Sequence, residues 1–299
     1  MFNYMSIQKG RTPMRKVLLT LATLTLSVLI GGDLTIYASD IESENNVIQI
    51  YEKNLETGEE TRENIPVSTD ENILNAESYQ TETISPNIII GEDESVQVPD
   101  ILLSTMPYSA IGRVRATYYD GTSATGTGFL FGPNDVATAA HVLYNRNGSI
   151  AETVSFWLPG TGGPVATYTG TQLAIPSEFM DNRDINYDWG MFHINSNIGN
   201  TNGFLGWTTD ISVDTTVQVI GYPSDQMMMA GKQVKSVTST LIKYDVDTRP
   251  GNSGSPVLNR SLDDQIVAIH TGGIDSEQLN RGTRVTSRMA SVLSTYRNE

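Results

Sequence analysis

The chain contains no cysteine among its 299 residues. This absence excludes a disulfide framework, a thiolate metal site and a cysteine nucleophile. Histidine is also scarce, with His141, His193 and His270 as the full set, and none stands in a spacing that suggests zinc. We therefore expect no cofactor and assign no metal ligands, with calcium at the acidic loop Asp263-Asp264 as the alternative to an exposed turn. Any imidazole chemistry must use one of these three histidines. His193 lies within an apolar run and is expected to be structural.

Basic residues are few: the chain has 19 Lys and Arg against 34 Asp and Glu, which gives a formal net charge of −15. Nucleic-acid binding needs clustered Lys and Arg at the phosphates, so we expect no nucleic-acid partner. The acidic excess is uneven. Residues 40–94 hold fifteen acidic and two basic side chains, whereas residues 95–299 hold eighteen acidic and thirteen basic ones. This shift in charge divides the chain near residue 95.

The first piece, residues 1–38, has the pattern of a secretory signal peptide. Arg15 and Lys16 precede the apolar run Val17–Gly32, and small residues follow it. The run of about sixteen residues is short for a membrane-spanning helix, which needs roughly twenty. An uncleaved anchor is the alternative, and translation could also begin at Met14. The prediction is a protein secreted from a Gram-positive bacterium, without a stable membrane anchor.

Residues 39–94 form an acidic segment that is poor in aromatic residues and weakly patterned. Such a segment buries too little apolar surface to fold alone. Its position between a signal peptide and a globular domain favours a pro-segment that acts as an intramolecular partner. A disordered spacer is the alternative.

Residues 95–299 are predicted to form one all-β domain. Short runs rich in Val, Ile, Thr and Tyr are separated by Gly, Asn, Asp and Pro, which is typical of antiparallel strands in a barrel or a sandwich. The clearest runs are Ile111–Tyr119, Gly126–Phe131, Val154–Leu158, Asp188–Ile194, Thr216–Tyr222 and Gln265–Thr271. Only the end of the chain, Ser287–Arg297, has helical spacing.

The most informative motif is Gly251–Pro256, in which Ser253 follows one glycine closely and precedes another. A serine hydroxyl attacks an acyl carbon only if a base takes its proton. Flanking glycines allow a tight turn whose N–H groups meet the oxygen that becomes charged. Ser253 is therefore the predicted nucleophile, and Gly251 with Ser253 the predicted oxyanion hole. Ser255 is a competing nucleophile that lacks the flanking glycines, and a structural turn is the alternative to both.

Two further residues, both far upstream of Ser253, complete the predicted chemistry. His141 follows the small residues 137–140 and is the predicted general base and then general acid. Asp188 opens an apolar strand and is predicted to orient His141, with Asp181 and Asp184 as alternatives. A histidine, an acid and a serine in this order along the chain are typical of chymotrypsin-like endopeptidases.

Four stretches carry a resemblance to a known family: Thr138–Val142, Asn186–Gly190, Gly251–Val257 and Ile269–Gly273. Together they resemble the bacterial glutamyl endopeptidases of staphylococci and bacilli, over roughly residues 95–299. The resemblance implies a chymotrypsin-like double β-barrel with the active site between the barrels. It also implies that protein and peptide substrates are cleaved after Glu, and more slowly after Asp.

The preference for Glu has its own chemical requirement. A substrate carboxylate that enters a pocket needs donors or positive charge to offset its desolvation. Thr248, five residues before Ser253, is a neutral hydroxyl donor where a trypsin-like pocket would place an acid. His270 can also donate an N–H to an anion. In the resembled family the matching threonine and histidine hold the substrate carboxylate, so Thr248 and His270 are the expected specificity pair. A satisfied core histidine is the alternative for His270.

Three neighbours of Thr248 depart from the family pattern. An Asp247 that faced the pocket would repel a glutamate and could favour a basic side chain. Arg249 could assist acidic substrates or could simply be solvated. Pro250 removes a backbone donor, although the predicted oxyanion hole does not need it.

Activation is expected to differ from that of trypsin-like enzymes, in which an aspartate next to the nucleophile pairs with the new N-terminal amine. The uncharged Asn252 occupies that position. The resemblance implies instead that the freed amine lies near the specificity pocket. A cut after Glu94, made by the enzyme itself, would free Ser95, and the mature protein is expected to be a monomer.

Three rival functions remain open from the sequence. A narrow-specificity, toxin-like serine protease of the same fold would share all the motifs above. A non-catalytic binding protein on that fold would be expected to lack one of the three catalytic candidates. A hydrolase of small esters would be expected to carry the Gly-x-Ser-x-Gly pattern, which is absent around Ser253.

Overall fold

A computed structural model describes residues 47–67, 87–159 and 166–297 of the chain. The predicted signal peptide, residues 1–38, and part of the acidic segment lie outside the described residues. Within them the chain forms the strands β1 Val47–Asn54, β2 Glu60–Pro66, β3 Val96–Gln97, β4 Ile111–Tyr118, β5 Ser123–Leu130, β6 Asp135–Thr138, β7 Ala151–Leu158, β8 Ala166–Pro176, β9 Gly190–Ile194, β10 Thr216–Gly221, β11 Met228–Val237, β12 Leu241–Tyr244, β13 Pro256–Asn259, β14 Gln265–Ile274 and β15 Leu279–Arg284.

Helices are few and mostly short. They are α1 Ala140–Leu143, α2 Ser177–Asn182, α3 Gly199–Asn202 and α4 Ser287–Arg297, with single 3₁₀ turns at Asp100–Leu102, Tyr108–Ala110 and Ile185–Tyr187. The predicted C-terminal helix thus has the predicted bounds, and the all-β class is confirmed. In the described ranges every helix is too short or too polar to cross a membrane.

Strands β4 to β9 form the first barrel, which is closed by the pairing of β8 with β9. In β4, Val114 and Ala116 are buried while Arg115 between them is exposed. This alternation places one face of the strand in the core. A Cβ at Gly112 would lie 2.5 Å from the ring of Phe156 on β7, so the close approach of β4 and β7 requires glycine there.

Strands β10 to β15 form the second barrel, closed by the pairing of β10 with β11. Its core consists mainly of β-branched side chains, namely Val217, Val219, Val234, Ile242, Val246, Val257 and Val267. The long strand β14 pairs with β13 on one side and with β15 on the other. Because β13 directly follows the serine motif, this pairing places the predicted pocket strand beside the predicted nucleophile. The chymotrypsin-like double β-barrel is therefore confirmed.

An N-terminal hairpin extends the first barrel, and the sequence analysis did not predict it. Strand β1 pairs with β2 on one edge and with β8 on the other. Ile48 and Ile50 are 2 % and 0 % exposed, and Arg62 donates two hydrogen bonds of 2.7 Å to Asp181. Residues 47–66 of the acidic segment thus fold by adding to the edge of β8, which supplies the core that this segment lacks on its own.

Candidate active site

His141 and Asp188 come together at one end of the first barrel. His141 lies in α1, just after β6, and Asp188 lies two residues before β9. These strands pair with Thr138 opposite Gly190, so their ends bring the two side chains into contact. The Asp188 carboxylate is 1 % exposed. It accepts the backbone N–H of His141 at 3.0 Å, and its two oxygens lie 2.8 and 3.1 Å from Nδ1 of the ring.

The two alternative acids are directed elsewhere. Asp181 binds Arg62 of the N-terminal hairpin. Asp184 accepts the backbone N–H of Asn186 at 3.0 Å and so caps a 3₁₀ turn. Of the three candidates, Asp188 is the one that contacts His141.

The serine motif forms a tight loop that depends on its glycines. Gly251 has φ +102° and Gly254 has φ +87°, a region that glycine adopts without steric cost. A Cβ at Gly254 would lie 2.2 Å from the hydroxyl of Thr138. Ser253 is partly exposed, whereas Ser255 is 0 % exposed. Of the two serines, only Ser253 can meet a substrate.

Thr127 on β5 connects the serine loop to the first barrel. Its N–H donates to the carbonyl of Ser253 at 2.8 Å, and its hydroxyl donates to the carbonyl of Gly251 at 2.8 Å. The hydroxyl of Thr138 in turn donates to the carbonyl of Thr127 at 2.7 Å. Because Thr138 precedes His141 by three residues, these hydrogen bonds fix the loop of the second barrel against the histidine segment of the first.

The backbone N–H groups of Gly251 and Ser253 have no acceptor among the described residues. Their neighbours are engaged: Asn252 donates to the carbonyl of Arg249 at 2.9 Å, and Gly254 donates to the carbonyl of His270 at 2.8 Å. Two free N–H groups in a fixed loop are the donors that an oxyanion hole requires.

The expected specificity residues are both buried and incompletely paired. Thr248 is 1 % and His270 is 0 % exposed. Neither Oγ1 of Thr248 nor Nε2 of His270 has a hydrogen-bond partner among the described residues. Buried polar atoms are normally paired, so each is an atom that a bound ligand could satisfy. The backbone N–H of His270 donates to the carbonyl of Ser255 at 2.9 Å, which ties the histidine to the serine loop.

The His270 ring is neutral at neutral pH. Burial lowers the pKa of His270 to about 3, and electrostatic repulsion from His141 and Arg281 acts in the same direction. The backbone carbonyl of Arg281, as an acceptor near the ring, opposes this shift, although by distance and angle Nε2 has no hydrogen-bond partner among the described residues. At the other ring nitrogen, Nδ1 lies 2.6 Å from the hydroxyl of Tyr244. Sequence reasoning missed Tyr244, because nothing in its spacing from His270 marks a contact between different strands.

Asp247 binds the end of the acidic segment. Its carboxylate is 2 % exposed and accepts the backbone N–H of Ile90 at 2.8 Å and that of Glu94 at 3.0 Å. Both of its oxygens are therefore occupied by residues 87–95. Arg249 forms an ion pair with Asp93, and 51 % of its side chain is exposed.

Residues 87–95 cover the loop that carries Thr248. The carbonyl of Ile88 accepts the N–H of Thr248 at 3.2 Å and the side-chain amide of Asn280 at 2.8 Å. The amide of Asn87 donates to the carbonyl of Arg249 at 2.8 Å. Asn280 was also missed from sequence, since a polar residue within a strand gives no signal of its partner.

The comparisons with known proteins agree with this geometry. A family model described as a trypsin-like peptidase domain matches residues 126–269. The chain is 34 % identical over 227 residues to a glutamyl endopeptidase of Bacillus licheniformis, covering 70 % of this chain and 69 % of that protein. This chain belongs to the glutamyl endopeptidase family. A solved structure of a Glu endopeptidase in complex with MPD matches it with a TM-score of 0.62 and 25 % identity, covering 71 % of this chain and 100 % of the other. The protein is therefore a serine endopeptidase, as the sequence predicted.

One relative of this family member carries a different description. An extracellular metalloprotease of Bacillus subtilis is 33 % identical over 231 residues, covering 73 % of this chain and 72 % of that protein. A catalytic zinc needs three protein ligands of the His, Asp, Glu or Cys type. In the part of the chain that the structure describes, no group of three such side chains could hold a metal ion. The described residues therefore do not fit a metalloprotease site.

Proposed function

We propose that this glutamyl endopeptidase family member cleaves peptide bonds after Glu, and more slowly after Asp, with His141, Asp188 and Ser253 as its catalytic triad. The observation that carries the proposal is the contact of the buried Asp188 carboxylate with Nδ1 of His141 at 2.8 and 3.1 Å. A carboxylate at Nδ1 keeps the proton there and leaves Nε2 as the acceptor, which is the tautomer that a general base needs.

In the proposed reaction, Oγ of Ser253 attacks the scissile carbonyl carbon while Nε2 of His141 takes the hydroxyl proton. The N–H groups of Gly251 and Ser253 stabilise the resulting oxyanion. His141 then gives the proton to the leaving amine, and an acyl-enzyme remains. Water repeats the sequence with His141 as base, which releases the new carboxylic acid and restores Ser253. Asp188 stabilises the imidazolium in both halves.

Thr248 and His270 are the proposed donors to the substrate glutamate. A carboxylate that leaves water must recover its lost hydrogen bonds inside the pocket. The unpartnered Oγ1 of Thr248 and Nε2 of His270 are buried donors of that kind. Hydrogen bonds to an ionised acceptor are about twice as strong as neutral ones, which favours Glu over Gln or Leu.

We further infer that the protein is a secreted zymogen, with residues 1–38 as signal peptide and residues 39–94 as pro-segment. The extracellular relative in Bacillus subtilis supports secretion from a Gram-positive cell. The contacts of residues 87–95 with Asp247, Thr248 and Arg249 support an inhibitory role of the pro-segment. A cut after Glu94 would start the mature chain at Ser95, close to Asp247, and the mature protein is proposed to be a monomer.

The first test uses matured enzyme and peptides that differ only in the residue before the cut: Glu, Asp, Gln, Lys or Leu. We expect the highest kcat/KM for Glu and a lower value for Asp. We also expect loss of all cleavage in Ser253→Ala, and a loss in His270→Ala that is confined to acidic peptides. Cleavage after Lys or Leu instead would retain the triad but reject the pocket assignment.

A second function, metal-dependent proteolysis, is favoured only by the description of the Bacillus subtilis relative. A serine-directed inhibitor and a chelator separate the two chemistries. Loss of activity with the chelator, together with activity that persists in the presence of the serine-directed inhibitor, would reject the proposed mechanism. Absence of cleavage for every peptide would favour the narrow-specificity protease or the non-catalytic binding protein.

A further inference from the structure

The side chain that supports His270 lies two strands away in the second barrel. In the pairing of β12, β15 and β14, both Ile242 and His270 are opposite Gly282. Tyr244 follows Ile242 by two residues and therefore faces the same side of the sheet. The rings of Tyr244 and His270 approach each other across β15, the strand between them. Their centroids are 6.0 Å apart, and the Tyr244 hydroxyl lies 2.6 Å from Nδ1 of His270.

The direction of this hydrogen bond follows from what each group can do. Tyr244 is 0 % exposed, and burial raises the pKa of its hydroxyl well above the usual value, so the hydroxyl keeps its proton. Among the described residues, its one hydrogen-bond partner is Nδ1 of His270. If Nδ1 carried the proton and donated, the buried O–H of Tyr244 would have no acceptor, which is costly. Donation from Tyr244 to Nδ1 satisfies both groups.

A neutral imidazole has one N–H, so the state of Nδ1 decides the state of Nε2. We propose that Tyr244 is a positioning residue for substrate selection: its hydroxyl donates to Nδ1 of His270 and thereby holds the ring proton on Nε2. In that tautomer Nε2, which has no partner among the described residues, is a donor and can meet the carboxylate of a substrate glutamate. In the other tautomer Nε2 would present a lone pair to that carboxylate and repel it. The role of Nε2 toward substrate rests on the proposed function, whereas the tautomer does not.

The tautomer is measured first, without any substrate. The three histidines of the chain make ¹⁵N spectra of the imidazoles simple to assign, with His270→Ala identifying the resonances of interest. The Ser253→Ala form prevents self-digestion. We expect Nδ1 of His270 to resonate as an unprotonated nitrogen and Nε2 as a protonated one. A protonated Nδ1, whether alone or together with Nε2, would overturn the proposal.

Tyr244→Phe tests the consequence for selection. It removes the donor and keeps the ring, so we expect the ¹⁵N spectrum to shift toward Nδ1–H or a mixture of tautomers. The kcat/KM for the Glu peptide should fall about tenfold, the order expected for loss of one hydrogen bond to a charged group. Acylation by a small activated ester that does not enter the pocket should be unchanged, which shows that the triad is intact.

The matched control is Tyr244→Phe in the His270→Ala background. If Tyr244 acts through His270, the second substitution costs no further selectivity for Glu over Leu. An equal loss in both backgrounds, or no loss in the single variant, would refute the positioning role. If the unsubstituted enzyme shows no preference for Glu while His270 has the expected tautomer, the proposed specificity fails and the assignment of the Tyr244 hydrogen bond remains.

Discussion

The backbone N–H of Glu94 donates to Oδ2 of Asp247 at 3.0 Å. Lys232 reinforces this position, since its ammonium lies 2.9 Å from the Glu94 carboxylate and that hydrogen bond raises the pKa of Lys232. Glu94, at the proposed processing site, is thus bound to Asp247, which directly precedes Thr248 in the chain. From the sequence, Asp247 was a residue that could repel a substrate glutamate; in the structure its carboxylate accepts hydrogen bonds from the end of the acidic segment.

Replacing Asp247 should speed maturation. Asp247→Ala removes the acceptor of two backbone N–H groups, and at about 1 kcal/mol for each hydrogen bond the open state of residues 87–95 should be populated at least tenfold more. Precursors that also carry Ser253→Ala are mixed with a trace of mature enzyme, and the cut is followed by N-terminal sequencing. Asp245→Ala, which removes a partner of Lys235 instead, is the control. Equal rates for the two variants would show that the Asp247 contacts do not restrain the junction.

Asp188→Asn should lower kcat by about 10³- to 10⁴-fold while the fold is retained, because an amide no longer selects the productive tautomer of His141. Hydrolysis of the Glu peptide is the measurement. Asp184→Asn is the matched control, since Asp184 caps a turn in the same loop without touching His141. A comparable loss in Asp184→Asn would mean that loop conformation, rather than the His141 contact, is responsible.

Ser255→Ala should keep activity within about twofold, whereas Ser253→Ala should abolish it. Oγ of Ser255 is buried without a hydrogen-bond partner among the described residues, so its removal leaves no other group unpaired. The free energy of unfolding should be unchanged or rise by up to about 1 kcal/mol. Active-site titration and urea denaturation check the two expectations. Loss of acylation in Ser255→Ala would argue against Ser253 as the nucleophile.

The hairpin of β1 and β2 should contribute to the free energy of unfolding more through its apolar face than through its ion pair. Ile50→Ala, at a position that is 0 % exposed, should destabilise the Ser253→Ala precursor by about 2–5 kcal/mol. Arg62→Ala should cost less than about 1 kcal/mol, because the Arg62 and Asp181 side chains are 40 % and 50 % exposed and water screens the pair. Glu59→Ala is the exposed control. A null effect of Ile50→Ala on urea denaturation would show that the hairpin is not bound in solution.

Acid should destabilise the fold through His270. Its pKa is about 3 in the folded protein and about 6.5 in an unfolded chain, so the unfolded state binds the extra proton between these values. Stability therefore falls as the pH falls through this window, by up to about 1.4 kcal/mol per pH unit. The His270→Gln variant retains the residues around His270, namely His141, Arg281 and Tyr244. In that variant the free energy of unfolding, measured by urea denaturation between pH 6 and 4, should depend less steeply on pH, by the contribution of about one proton. An unchanged slope would contradict a neutral, buried His270.

The site residues that could be predicted from the sequence are those with local signals. The glycines around Ser253 and the apolar strand after Asp188 are such signals, and in the structure the Asp188 carboxylate contacts Nδ1 of His141. Tyr244 and Asn280 were missed because their partners are fixed by the register of strands distant along the chain. The hairpin was missed for a related reason. The alternation of Ile48 and Ile50 is too short to stand out in an acidic segment. It becomes meaningful only beside residues 172–176 of β8, which β7 leaves unpaired and β1 pairs with.

The pairing of β1 with β8 would hold the hairpin on the enzyme after the proposed cut. The hairpin is bound by strand pairing to β8, by buried isoleucines and by a hydrogen bond from Arg288 to the carbonyl of Val47 at 3.0 Å. A cut after Glu94 would break one peptide bond and leave all of these contacts in place. The immediate product would be two polypeptides held together without a covalent link. Their separation would then depend on dilution and on further digestion of the shorter chain, so cleavage and release would be separate events in time.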